Sequence, residues 1–368
     1  MHIPADLIHK VRLPAGAVVV GADSDWPFYG EIATDGDWMV TELGFQGLTP
    51  GHDRQLYAVN IITGVSRHLA DHQAGGSVAN GRVAWVDPKC TYFAGDGEPE
   101  TCTAWTLHLM DLATGSDRVV ATGPITEGVG STLWAYGDEW FHAGVEDVMP
   151  RAELSSDTLA YSTGDLKHGF TLHLLSISSG SERTLALGGM IQKMRWVGED
   201  LVWVEATDWH VGGYSPDYSG TRLMLLRGGM GVAYQIGSNA ASLRADSTSI
   251  VWQHFDGQFA IFRSSPPDWR PVVLGPIPSE ADLDFTNDEP QISISDGWTG
   301  WSDTDSVEDG PAHWLAHLEA YVVLGPRDSE PRVVHDGCYL SGGWLFLVTR
   351  DKHAQPTGFE AVRLADLH

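Results

Sequence analysis

The chain has 368 residues, of which 22 are basic and 49 acidic, giving a formal net charge of −27, with 42% hydrophobic residues. This composition is globular rather than disordered. The acidic excess excludes the basic footprint that nucleic acid or an anionic membrane surface requires, and no apolar run approaches the roughly 18 residues of a membrane span; a soluble chain without membrane insertion is expected.

In chain order, the start Met1-His2-Ile3-Pro4 does not read as a signal peptide, so an exported protein would have lost its leader. Ala17-Val18-Val19-Val20-Gly21 reads as a solitary strand. From about residue 30 onward, short runs of Val, Ile, Leu, Trp and Tyr alternate with Gly or Asp-Gly punctuation. That is the grammar of strands and hairpins. No stretch keeps a long 3.6-residue apolar period, so little helix is expected.

Two phrases repeat. Gly81-Arg82-Val83-Ala84-Trp85-Val86-Asp87 recurs as Glu199-Asp200-Leu201-Val202-Trp203-Val204-Glu205, as Thr248-Ser249-Ile250-Val251-Trp252-Gln253-His254, and loosely as Gly297-Trp298-Thr299-Gly300-Trp301-Ser302-Asp303. The second phrase is Leu56-Tyr57-Ala58-Val59-Asn60 closing at Thr63-Gly64, Leu107-His108-Leu109-Met110-Asp111 closing at Thr114-Gly115, and Leu172-His173-Leu174-Leu175-Ser176 closing at Ser179-Gly180. Anchored on the large residue of the first phrase, the positions are Val40, Trp85, Tyr161, Trp203, Trp252, Trp301 and Leu347, with spacings of 45, 76, 42, 49, 49 and 46. Four strands and their turns take roughly 40–50 residues, as in the blade of a propeller.

Each unit reads as strands A, B, C and D, with the anchor on B. The expectation is an all-β propeller of seven four-stranded blades, with six or eight as alternatives, in one domain over 1–368. The approximate blades are 30–72, 75–122, 151–188, 191–238, 241–275, 289–336 and 338–366. The long interval holds Ser131-Thr132-Leu133-Trp134-Ala135-Tyr136 and Glu139-Trp140-Phe141-His142-Ala143 around Gly137-Asp138, an inserted hairpin within 131–145. The last unit lacks a D strand, and strand 17–21 is expected to supply it and close the ring, removing an exposed edge.

The repeated apolar B strand and the L-x-Φ-x-D…T-G phrase resemble those of the TolB-like β-propellers, over roughly residues 17–366. In place of that group's S-P-D-G turn between A and B, this chain has Asn80-Gly81, Gly198-Glu199 and Asp296-Gly297. The group includes scaffolds, peptidase gates and sugar-degrading lyases, so the resemblance implies a fold and leaves activity open.

In a propeller the B–C and D–A loops share one face. The residues two after each anchor, Glu42, Asp87, Thr163, Glu205, His254, Asp303 and Thr349, exit toward it. Glu42, Asp87, Glu205 and Asp303 form a candidate oxygen-ligand set for Ca2+; separate, solvated strand ends are the other reading. The B–C loops at 44–54, 88–102, 206–221 and 304–317 are long, as are the D–A connections at 122–130 and 275–290, and rigid scaffolds place binding on such loops. The densest is Asp208-Trp209-His210-Val211-Gly212-Gly213-Tyr214-Ser215-Pro216-Asp217-Tyr218. Trp209, with Trp134, Trp140, Trp26, Trp314 and His168, would offer stacking faces for a sugar or grip a peptide, or would pack the loops onto the blades. His210, Tyr214, Tyr218, His254, Arg350 and His353, joined by His168, are the candidates for acid–base work. His108 and His173 hold the same place in equivalent C strands and read as repeat residues. Asp303-Thr304-Asp305 and Glu308-Asp309 lack the rest of an EF-hand pattern.

Cys90 and Cys102 have eleven residues between them. A disulfide there would staple a long loop and imply an oxidising compartment, with two free thiols as the alternative. Cys338 reads as a buried free thiol. Five lysines against 22 basic residues fit a salty or extracellular setting, or a genome that favours arginine. Functionally, these features point to an exported, monomeric, non-catalytic propeller that binds a carbohydrate or protein partner through its elaborated face. A polysaccharide lyase using His, Tyr and Arg on that face is the alternative, although the scarcity of basic residues disfavours acidic polymers.

Overall fold

A computed structural model describes residues 5–19, 32–45, 54–71, 76–92, 99–125, 150–165, 168–206, 220–228, 231–255, 259–273, 292–296, 298–303, 312–315, 320–323, 334–350 and 356–367. Strands β1 (His9–Val11), β2 (Ala17–Val19), β3 (Ala33–Asp35), β4 (Trp38–Phe45), β5 (Arg54–Asn60) and β6 (Ser66–Ala70) open the chain. There follow β7 (Gly76–Ala79), β8 (Arg82–Tyr92), β9 (Pro99–Asp111) and β10 (Asp117–Pro124), then β11 (Ala152–Leu154), β12 (Thr158–Asp165), β13 (Gly169–Ser176) and β14 (Glu182–Leu187). Next come β15 (Met190–Val197), β16 (Asp200–Ala206), β17 (Thr221–Leu226) and β18 (Ala233–Ser238), and β19 (Ala240–Ala245), β20 (Ile250–Phe255), β21 (Phe259–Ser264) and β22 (Val272–Val273). The last are β23 (Ile292–Ser295), β24 (Trp298–Asp303), β25 (Ala312–Leu315), β26 (Ala320–Val323), β27 (Val334–Ser341), β28 (Trp344–Arg350) and β29 (Pro356–Arg363). Short 3-10 turns cover Ala5–Leu7 and Leu364–Asp366, and no helix among the described residues is long and apolar enough to cross a membrane.

Every pairing among the described residues is antiparallel, and each joins successive strands except β1 with β29 and β2 with β4. Among the described residues, six sheets are four-stranded blades: β7–β10, β11–β14, β15–β18, β19–β22, β23–β26, and β27–β29 completed by β1. The sheet β2–β6 differs. It has five strands, because both β3 and β2 pair with β4, opposite Trp38–Val40 and Leu43–Phe45 respectively.

The expected seven four-stranded blades closed by strand 17–21 are therefore corrected twice. Six sheets have the four-stranded form, and 17–19 belongs to the opening sheet. The closing strand is β1, whose His9, Lys10 and Val11 face Ala361, Glu360 and Phe359 of β29. The cause is local. Pro14 accepts the Ala17 N–H at 3.0 Å across a turn in which Gly16 has φ +81°. Glycine takes that left-handed conformation without steric cost. The turn splits one extended run into two strands that serve different sheets, although Val11 and Val19 remain in one core cluster.

The anchors fall one per sheet, on the second strand. Trp85, Trp203 and Trp252 are at most 2% exposed. They sit in clusters that join neighbouring sheets: Trp85 with Val40 and Leu56, Trp203 with Leu172 and Ile191, Trp252 with Val204 and Leu223. Burial of this area is the main driving force for stacking the blades. Gly76, opposite Trp85, marks how close that stacking is, since a Cβ there would lie 2.6 Å from Val40 Cγ1.

The second phrase is a turn. Asn60 Oδ1 and Asp111 Oδ1 each accept the backbone N–H and the hydroxyl of Thr63 and Thr114, all at 2.8 Å, while Gly64 and Gly115 adopt φ of +72° and +75°. The equivalent histidines anticipated as repeat residues act inside their blades. His108 stacks on Trp85 at 4.7 Å and meets Asp117 at 2.9 Å. His173 stacks on Tyr161 at 4.5 Å, meets Glu182 at 3.0 Å and bonds Thr163 Oγ1 at 2.8 Å.

Candidate functional site

The first strands of successive sheets touch one another in the order β3, β7, β11, β15, β19, β23, β27, so they form the inner ring around the axis. The last blade meets the first: Trp344 Nε1 donates to Gly36 O at 2.8 Å, and Arg363 Nη2 lies 2.6 Å from Asp37 Oδ1.

Register places one residue of each inner strand directly opposite the residue that precedes the anchor. These are Thr34, Ser77, Glu153, Arg195, Arg244, Ser293 and Tyr339, opposite Met39, Ala84, Ala160, Val202, Val251, Gly300 and Phe346. All are polar. Their strand neighbours opposite the anchors, Ala33, Gly76, Ala152, Met194, Leu243, Ile292 and Cys338, are small, apolar or thiol. Successive residues of a strand point to opposite sides, so the inner strands carry alternating apolar and polar tiers.

Charge in the polar tier is confined to three adjacent blades. Ser77 Oγ accepts the Leu154 N–H at 2.9 Å, fixing β7 to β11. Trp196 Nε1 donates to Glu153 O at 3.2 Å, fixing β15 to β11. Arg195 Nη1 donates to Met194 O at 2.6 Å and lies 3.4 Å from Glu153 Oε2. Arg244 repeats the device, with Nη1 donating to Leu243 O at 3.1 Å. Burial pushes the Glu153 carboxyl up to about 8, against a lowering hydrogen bond from Ser77. Burial also brings the Arg195 guanidinium down to about 10, aided by the like charge of Arg244 and opposed by Tyr339. Both directions follow from removing charged groups from water.

The residues singled out from sequence are placed otherwise. Glu205 is 2% exposed and committed within its blade, accepting from Trp203 Nε1 at 3.1 Å and pairing with Arg222 Nη2 at 2.7 Å. Glu42 and Asp87 are half-buried on β4 and β8, on separate sheets. Asp303 ends β24 opposite Ala312. Among the described residues no three His, Cys, Asp or Glu groups gather in a form that would hold a metal. His254 Nδ1 lies 2.9 Å from Ser238 O and its ring meets Phe262 edge-on at 5.4 Å. Thr349 is buried, Arg350 ends β28, Trp314 pairs with Trp301 in the ladder, and His168 is exposed in the turn before β13. Trp26, Trp134, Trp140, Trp209, His210, Tyr214, Tyr218, His353 and the 131–145 insertion lie outside the described residues. Cys90 and Cys102 are partners across the β8–β9 ladder.

Sequence reasoning missed the polar tier. The signal was available, because the same ruler that located the B-strand exits also marks the A strand. Read there, it lands on Ser77, Glu153, Arg195, Arg244 and Ser293, residues too different in type to look like a motif.

The fold is a β-propeller, and solved structures bear this out. The chain is similar to the β-propeller domain of the Trilobed protease from Pyrococcus furiosus, with 10% identity and a TM-score of 0.54, covering 92% of this chain and 98% of that one. That domain has an open velcro topology; here β1 pairs with β29. The chain is also similar to a Pyrococcus horikoshii acylaminoacyl peptidase (10% identity, TM-score 0.52, 88% of this chain and 49% of that one). A prolyl endopeptidase gives 10% identity and a TM-score of 0.53 over 91% of this chain and 48% of that one. The chain spans about half the length of these two peptidases. No protein-family model and no curated protein matches it. Likeness at this identity concerns the fold alone.

Proposed function

We propose that this chain is an exported, monomeric, non-catalytic β-propeller, of TolB-like type, that binds a carbohydrate or protein partner through the face carrying its B–C and D–A loops. The observation that carries the reading is the β8–β9 hairpin. Its strands run 11 and 13 residues and stay paired out to Tyr92 and Pro99, whereas β12 and β13 have 8 residues each. The extension lengthens a B–C connection, and rigid scaffolds place recognition on such connections. Meanwhile His108, His173 and Glu205 are spent on contacts inside their own blades. The Cys90–Cys102 juxtaposition supports a disulfide stapling the same hairpin, in keeping with an oxidising compartment.

A glycan array, run beside an assay for the absorbance of unsaturated lyase products, tests the reading. Glycan binding that is lost on Trp209→Ala, with no turnover of any polymer, is the expected result. Turnover that His210→Ala abolishes would replace it with the lyase. For the staple, thiol counting after unfolding without reductant is expected to find one free cysteine; three would remove the disulfide.

A further inference from the structure

The sequence holds a single Asn-Gly pair, Asn80-Gly81, and the fold places it in the tight turn between β7 and β8. Both residues are left-handed, Asn80 at φ +50° and Gly81 at φ +70°, as a two-residue hairpin turn demands. Asn80 is exposed, yet three polar groups of the pair are bonded to other parts of the chain. Asp35 Oδ2, at the end of β3, accepts the Gly81 N–H at 3.0 Å. Gly81 O accepts the Leu112 N–H at 2.9 Å. Asn80 Nδ2 donates to Ser156 O, in the turn between β11 and β12, at 3.4 Å. Since β3 and β11 both touch β7, the turn ties its own sheet to the neighbour on either side.

Asparagine is chemically labile, and most so before glycine, which has no side chain to keep its nitrogen from the carboxamide. In that reaction the Gly81 nitrogen bonds to Asn80 Cγ as the Cγ–Nδ2 bond breaks. The proton from Gly81 and the departing NH2 leave together as ammonia. The cyclic imide then takes up water and opens to an aspartate or, with one more atom in the backbone, to an isoaspartate. Attack requires the nitrogen to reach Cγ in line and to lose its proton. Asp35 opposes both: its charge-assisted bond holds the N–H toward one neighbouring sheet, and its negative charge disfavours an anionic nitrogen. The bond to Ser156 holds the carboxamide toward the opposite neighbour. Reaction therefore waits on local opening of the turn. Afterwards a carboxylate replaces the donor to Ser156 O and adds negative charge to the turn that Asp35 holds, so the native contacts are not remade.

We propose that Asn80 is a self-modification site, that Asp35 of the preceding sheet holds its deamidation off, and that the reaction, once run, loosens the joint between the three sheets. It consumes only water and is independent of ligand binding at the loop face.

The intact protein is aged in mildly alkaline buffer, folded and in urea. The tryptic peptide 68–82, bounded by Arg67 and Arg82 and holding Asn80 as its only asparagine, is then followed by mass spectrometry for loss of the amide and appearance of isoaspartate. Conversion is expected to be at least about tenfold slower in the folded protein than in urea, as a bond to a charged group that must first break implies. Asp35→Ala is expected to recover about tenfold in the folded protein and to change nothing in urea. Asp35→Asn, which keeps an acceptor without the charge, should fall between. Folded conversion as fast as in urea, or no acceleration in Asp35→Ala, overturns the proposal; should Asp35→Ala not fold, Asp35→Asn decides by the same comparison. His173→Ala loses contacts elsewhere, to Tyr161, Glu182 and Thr163. If it accelerates conversion as much as Asp35→Ala, global unfolding is the gate and the role of Asp35 falls. Asn80→Asp is expected to lower the thermal midpoint, and an unchanged midpoint overturns the loosening.

Discussion

Two tiers of the inner strands, one residue apart, have opposite chemistry. In the tier facing the anchors, Ala33, Gly76, Ala152, Met194 and Leu243 pack against large second-strand residues. There the demand is volume: Gly76 has no room for a Cβ, and Trp203 is 1% exposed. In the next tier the demand is polarity, met by Ser, Glu, Arg or Tyr as the position varies. Adjacent positions on one strand thus hold blades together in two ways, by packed volume in one tier and, in the other, by polar contacts such as Ser77 to Leu154 of the next blade. The first tier tolerates little change because close-packed interiors do not relax well. The second can diversify residue by residue.

The sharpest way to break this contrast is to remove an anchor. Trp203→Ala should lower unfolding stability by about 3–5 kcal/mol, the usual cost of deleting a buried aromatic, and it also deprives Glu205 of a donor. Guanidinium chloride titration measures it, and a loss below about 1 kcal/mol would mean the anchors do not hold the blades. A smaller and pH-dependent effect is expected from the polar tier. The folded carboxyl of Glu153 is raised from 4.5 to about 8, so between those values the folded chain retains a proton that the unfolded chain has lost. Stability from this group is full below the lower value and is lost as pH rises through the upper one. The charged groups facing Glu153 are Arg195 and, behind it, Arg244; Ser77 bonds it from β7. Glu153→Gln keeps the neutral shape, so its midpoint relative to the unaltered protein should be more favourable at pH 9 than at pH 5. Equal differences at the two pH values would remove the assignment. The smallest effect belongs to the blade interior: His173→Ala gives up the stack on Tyr161 and the bonds to Glu182 and Thr163, worth about 1–2 kcal/mol in urea unfolding.

The legible part of the molecule was the part in which one physical demand recurs. The second strands β8, β16 and β20 are buried around Trp85, Trp203 and Trp252, so a Trp-centred apolar run recurs with them, and the turn closed by Asn60 or Asp111 returns with its Thr and Gly. The closing seam was misread because strand propensity favours Ala17-Val18-Val19 over His9-Lys10-Val11. A three-residue strand is decided by its partner, here β29, and not by its own composition. The polar tier escaped notice because its positions share polarity and not a residue type, as Thr34, Glu153, Arg195 and Tyr339 show. The candidate loops offered residue types without geometry. His254 and Glu205 were attractive as exits from a strand until their partners within the same blade were seen.

The seam has a mechanical consequence. His9 faces Ala361 and Val11 faces Phe359, so the segments leading away from the seam leave at the same end of the pair. Tension on them peels the ladder open one rung at a time instead of shearing its rungs together. The seam is thus a clasp that yields early to a pull applied through the two segments that lead away from it.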